Sequence, residues 1–63
     1  MTVAERLTRA RGEKRRDEVA SAVGLSLSAI AMYENGDRTP RDEIKIRLAE
    51  YYGCTVQELF FNP

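Results

Sequence analysis

Two short helical patterns meet at Gly24-Leu25-Ser26, and this junction, within the stretch from Val19 to Gly36, constrains the fold of the 63-residue chain more than any other feature. Ala20 is small where two helices must approach closely. Gly24 is free to take the positive φ that ends a helix, and Leu25 is placed to plug the corner. Ser26 then caps a second helix whose Ile30 points inward. A corner of this kind sets the second helix across the first and leaves its outer face free.

Little else is available to stabilise so short a chain. A domain of this length buries only about 60% of the surface it exposes unfolded. Below about 70 residues, a core rarely supplies more than 3–5 kcal/mol without a metal, disulfides, oligomerisation or very regular helix packing. The sequence has no histidine and one cysteine, Cys54, so it offers neither a zinc site of the usual spacing nor an internal disulfide. Helix packing and dimerisation remain, and no metal or other cofactor is expected. Cys54 follows a helix-ending glycine and reads as core, because no histidine is present to act as its base. No apolar run approaches the roughly 20 residues of a membrane span, and Met1-Thr2-Val3-Ala4-Glu5 lacks signal-peptide character, which predicts a cytoplasmic protein.

Helical periodicity accounts for most of the chain. Thr2 and Glu5 have capping-box spacing ahead of Val3, Leu7 and Ala10, predicting a helix over about 3–11 that Gly12 ends. A second helix, about 16–23, buries Val19, Ala20 and Val23, and a third, about 27–34, buries Ile30 and stops at Asn35-Gly36. Thr39-Pro40 opens a fourth, about 41–52, with Asp42 and Glu43 at its positive end and Gly53 closing it. Ile44, Leu48, Ala49 and Tyr52 face its core side. Thr55 and Glu58 form a second capping box over Val56, Leu59 and Phe60, predicting a last helix at about 56–60. No segment alternates as a strand, so the fold class is all-α with five helices in one domain.

Ten basic and ten acidic residues cancel, but they are segregated along the chain. Residues 1–16 hold six basic and two acidic side chains, a net +4, whereas 17–37 hold four acidic ones and no basic one. Residues 38–47 return to +2 through Arg38, Arg41, Lys45 and Arg47 against Asp42 and Glu43. Such runs are either solvated faces or the electrostatic footprint of a polyanion.

Taken jointly, Val19, Ala20, Val23, Gly24, Leu25, Ser26, Ile30, Glu34-Asn35-Gly36 and Arg38-Thr39-Pro40 have the spacing of a known family. The chain resembles the phage repressor and Cro helix-turn-helix proteins, the xenobiotic-response-element type, from Leu7 to Phe60. The resemblance implies a lambda-repressor-like fold with the helix-turn-helix at its second and third helices, and double-stranded DNA as partner. It implies that the third helix lies in the major groove. Leu27, Ser28, Ala31 and Met32 then fall at base-reading positions, and Arg16, Ser26, Asn35, Arg38 and Arg41 at or near phosphate-gripping ones.

Guanidinium forks suit phosphate oxygens. The reading segment, however, has no Arg, Gln or Asn between Leu27 and Tyr33, so its discrimination rests on thymine methyls, one hydroxyl and DNA shape. Arg16 stands where the family most often has glutamine, and Arg15 where a capping serine is common. The loop from Gly12 to Arg15 is about two residues shorter than the family's usual one. With Leu7 and Ala10 inward, Arg11 matches the arginine that pairs with the glutamate of the Glu-Asn-Gly motif, here Glu34, with Arg9 as the fallback partner.

Ile46, Tyr51, Phe60 and Phe61 are expected to leave an apolar surface near the C-terminus, either a dimer seam or a frayed tail with one scattered isoleucine. The leading reading is a DNA-binding transcriptional regulator of bacterial or phage type, a repressor acting as a homodimer. The chain ends almost as soon as the fold is complete, which predicts no ligand-sensing domain and regulation by concentration, by a protein partner or by removal of the chain. The alternative is a protein-interaction module on the same fold, an antirepressor, antitoxin-like or coactivator component. An enzyme is not expected: there is no glycine-rich phosphate loop, no ligand cluster, no nucleophile with a base and no evident small-molecule substrate.

Overall fold

In the computed structural model, which describes residues 2–61, every regular element is a helix. The order is α1 (Val3–Arg11), α2 (Arg16–Val23), α3 (Leu27–Asn35), α4 (Asp42–Tyr52) and a fifth, π-type turn (Gln57–Phe61). The predicted capping box of α1 is reciprocal: the Glu5 N–H donates to Thr2 Oγ1 at 3.1 Å and the Thr2 N–H to Glu5 Oε1 at 2.9 Å. Thr55 and Glu58 repeat the arrangement ahead of the π turn. Each bond satisfies a backbone donor that a helix start leaves unpaired.

The core is built from Leu7, Val19, Ala20, Val23, Ile30, Ile44, Leu48, Ala49, Leu59 and Phe60, so all five elements contribute to it. At the corner, Gly24 adopts φ 72°, ψ 34°, and the Leu25 N–H returns to the Ala20 carbonyl at 2.9 Å, closing α2. Leu25 packs against the core, as expected of a plug. Ser26 Oγ accepts from the Ala29 N–H at 3.1 Å and starts α3. Arg15 supplies no such bond to α2, consistent with an arginine standing where a short polar side chain would cap.

Several expectations are corrected. Ala10 is exposed. The inward stripe of α1 runs Val3, Leu7, Arg11 in steps of four, with Arg11 turned in by a buried partner, so Ala10 falls to its side. The fourth helix starts at Asp42, because Arg41 is extended (φ −70°, ψ 163°) and acts as its N-cap; Pro40 is buried before the helix rather than in its first turn.

Tyr51 is not an outward residue. It packs against the core edge-on to Tyr52, with ring centroids 5.3 Å apart. Phe60 is 5% exposed and belongs to the core, not to a surface seam. The wider π turn brings the consecutive residues Leu59 and Phe60 both inside. Ile46 and Phe61 do remain more than half exposed.

Candidate nucleic-acid interface

The corner presents one face of α3 to solvent. Ile30 and Glu34, one turn apart, point inward and are buried. Ser28, Met32 and Asn35, at i, i+4 and i+7, mark the opposite face, with Ala31 beside them. Leu27 and Ser28 in the first turn are exposed, Leu27 at 52%, whereas Ala31 and Met32 are half-buried. A leucine at the start of a helix with half its surface left in water gains little for the isolated fold.

The residues expected to hold phosphates divide into groups. Asn35 and Arg38 line one shallow groove with Thr2, Val3, Ala4, Tyr33, Gly36 and Thr39, where the end of α3 meets the start of α1. Both side chains are exposed. Ser26 lies at the other end of α3, its oxygen engaged as a cap but its hydroxyl hydrogen still available to donate. Arg41, exposed at the start of α4, is outside that groove.

Arg16 has a role beyond the one expected from the sequence. Its Nε donates to Glu34 Oε1 at 3.0 Å. The anticipated pair forms as well: Arg11 Nε donates to Glu34 Oε2 at 2.8 Å and to Oε1 at 3.1 Å, while Arg11 Nη1 donates to the Lys14 carbonyl at 2.7 Å. The Glu34 side chain is 2% exposed, so its charge is held by two guanidinium groups rather than by water. The hydrogen bond to Glu34, outweighing burial, raises the Arg11 pKa further above its ordinary value. Next to this cluster, burial first and the Glu34 charge second push the Tyr52 hydroxyl up to about 12. Sequence spacing carried no signal for this second arginine, whose expected place was on a phosphate.

Two further contacts had no signal in the sequence patterns. Lys14 Nζ lies 4.5 Å from the centre of the Tyr51 ring and donates to its hydroxyl at 3.2 Å, fastening the short α1–α2 loop to α4. Lys45 Nζ sits over the rings of Phe60 and Phe61 at 5.7 and 4.8 Å. Cys54 packs against the core, where burial, reinforced by Glu58, raises its thiol pKa. Among the described residues no group of His, Cys, Asp and Glu is arranged to hold a metal. No helix among the described residues is long and apolar enough to cross a membrane.

Residues 6–59 match the helix-turn-helix family. The chain belongs to the helix-turn-helix family. The expected resemblance is thereby borne out, as is the five-helix fold. The solved structure of a transcriptional regulator from Listeria innocua superposes on this helix-turn-helix protein with a TM-score of 0.85 at 28% identity. That match covers 98% of the present chain and 60% of the Listeria chain. No curated protein matches the sequence.

Proposed function

We propose that this helix-turn-helix protein is a DNA-binding transcriptional regulator, a repressor of bacterial or phage type, working in the cytoplasm as a homodimer on a two-fold site. The observation that carries the reading is the outer face of α3: Leu27 and Ser28 stand exposed in its first turn, while Asn35 and Arg38 gather at its far end. A helix so presented fits the major groove, with an amide and a guanidinium at its end to meet phosphates. The likeness to a protein described as a transcriptional regulator supports the same conclusion.

In this reading Leu27, Ser28, Ala31 and Met32 meet base edges, and Arg16, Ser26, Asn35, Arg38 and Arg41 meet the sugar-phosphate backbone. With no bidentate base reader, operator preference is weak and follows thymine methyls and DNA shape. The test is selection of bound duplexes from a random pool at two salt concentrations, with Leu27→Ala and Ser28→Ala beside the parent. The enriched sequences should change in the variants. Identical enrichment would show that these side chains do not read bases.

One observation favours a second reading, docking of a regulatory protein on the same fold: Ile46 and Phe61 are each more than half exposed. Under that reading the protein fails to retain any duplex in the same selection.

A further inference from the structure

The two helices of the motif are joined at one end by Gly24-Leu25-Ser26, and their other ends, the start of α2 and the end of α3, are joined by Arg16 and Glu34. Among the described residues this is the one hydrogen bond between side chains of α2 and α3, Nε to Oε1 at 3.0 Å. Nothing in a phosphate-gripping role requires it. It uses one of the five guanidinium donors and leaves four on the two terminal nitrogens, which make no hydrogen bond with the described residues. The Arg16 side chain is 39% exposed, so its inner part is anchored while its outer part meets solvent. Arg11 donates to both Glu34 oxygens, so the carboxylate keeps one charged partner when Arg16 is replaced.

We propose that Arg16 is a positioning residue with a double grip: Glu34 holds the guanidinium through Nε, braces α2 against α3, and presents the terminal nitrogens already oriented to a DNA phosphate. The inference rests on the DNA-binding reading above and adds a coupling that reading does not contain. Ordering a long side chain costs entropy on binding, and an arginine already fixed by a buried carboxylate has part of that cost met by folding. Side-chain chemistry separates the two grips. A glutamine nitrogen lies as many bonds from the backbone as Nε, so it reaches Glu34 but has no fork beyond it. A lysine keeps the charge on a single nitrogen, which serves either the carboxylate or the phosphate.

The experiment measures binding of a fluorescent duplex pool of about 30 base pairs, long enough for two half-sites, across a salt series. Parent, Arg16→Lys, Arg16→Gln, Arg16→Ala, Glu34→Gln and the Arg16→Ala/Glu34→Gln double variant are compared, with melting of each followed by circular dichroism. Arg16→Lys should keep the salt slope of the parent and bind at least about tenfold more weakly, the lower end of the range for one charge-assisted hydrogen bond. Arg16→Gln should melt near the parent but lose about 0.9 from the slope for each bound copy, one phosphate contact per protomer. Arg16→Ala should weaken binding more in the parent than in the Glu34→Gln background.

Equal binding by parent and Arg16→Lys, or an equal loss from Arg16→Ala in both backgrounds, overturns the double grip while leaving DNA binding intact. A parent that binds no duplex removes the DNA reading itself, and the double grip with it. The lysine comparison does not depend on Glu34→Gln folding.

Discussion

Glu34 carries a negative charge with almost no water around it, and two arginine donors make that tolerable. A glutamine there keeps one acceptor oxygen for two guanidinium groups and turns an NH2 donor toward them, so Glu34→Gln should cost about 1.5–3 kcal/mol, the range for hydrogen bonds to charged groups. Arg38 is exposed and belongs to the proposed DNA face, so Arg38→Ala should change stability by less than about 0.5 kcal/mol. Thermal melting of both variants checks the assignment, and the reverse order would refute it. Tyr52 supplies a pH dependence. Its hydroxyl titrates at about 12 when folded against 10.0 for the free group, so the folded protein holds a proton that the unfolded chain has released. The stability linked to Tyr52 is complete below about pH 10 and is lost as pH rises from there through 12, a decline that Tyr52→Phe should flatten in denaturant titrations. At this scale the Arg11–Glu34 pair was legible from the Glu-Asn-Gly motif and the position of Arg11. The Arg16 contact was not, because sequence spacing shows that an arginine begins α2 but not which way its long side chain turns.

Helix boundaries were legible where local chemistry alone decides them. Thr2 with Glu5, Thr55 with Glu58, and glycines at positive φ are short-range devices, and each lies where the sequence places it. Gly24 offers a direct test. A methyl group there meets nothing within 4 Å, so Gly24→Ala pays only for the left-handed backbone, about 1–2 kcal/mol, readable as a lower urea midpoint. An unchanged midpoint would show that the corner relaxes to another conformation. The two capping boxes predict an acid-side effect. Hydrogen bonds from the Thr2 and Thr55 backbones, helped by their hydroxyls, hold the Glu5 and Glu58 pKa values below 4.5. Their contribution is present above that value and lost as pH falls through the lowered pKa values, so the first turns should fray in acid, seen as faster amide exchange there. The π turn was not legible. Val56, Leu59, Phe60 and Phe61 fit an ordinary short helix equally well, and only docking against α1 and α4 shows that Leu59 and Phe60 turn inward together. Tyr51 was misplaced for the same reason: periodicity along α4 contains no information about the loop lysine that covers its ring.

Across the whole molecule, zero formal charge conceals an uneven arrangement. Glu34, one of the four acidic residues of the central segment, is turned inward to neutralise arginines from the basic first segment. In the proposed reading, the positive charge that meets the sugar-phosphate backbone is that of the terminal groups of Arg16 and of the exposed Arg38 and Arg41. With extents of 27 × 23 × 21 Å, two copies centred on half-sites roughly 34–36 Å apart, one helical turn, sit side by side without overlap. The measurement that bears most directly on the proposed function is duplex affinity as a function of salt. Three arginine contacts per protomer predict that log affinity falls with log salt at a slope of about −2.7 for each bound copy, since each neutralised phosphate contributes about −0.9. A flat response, or no binding at low salt, would contradict a DNA-reading role for this face of the protein.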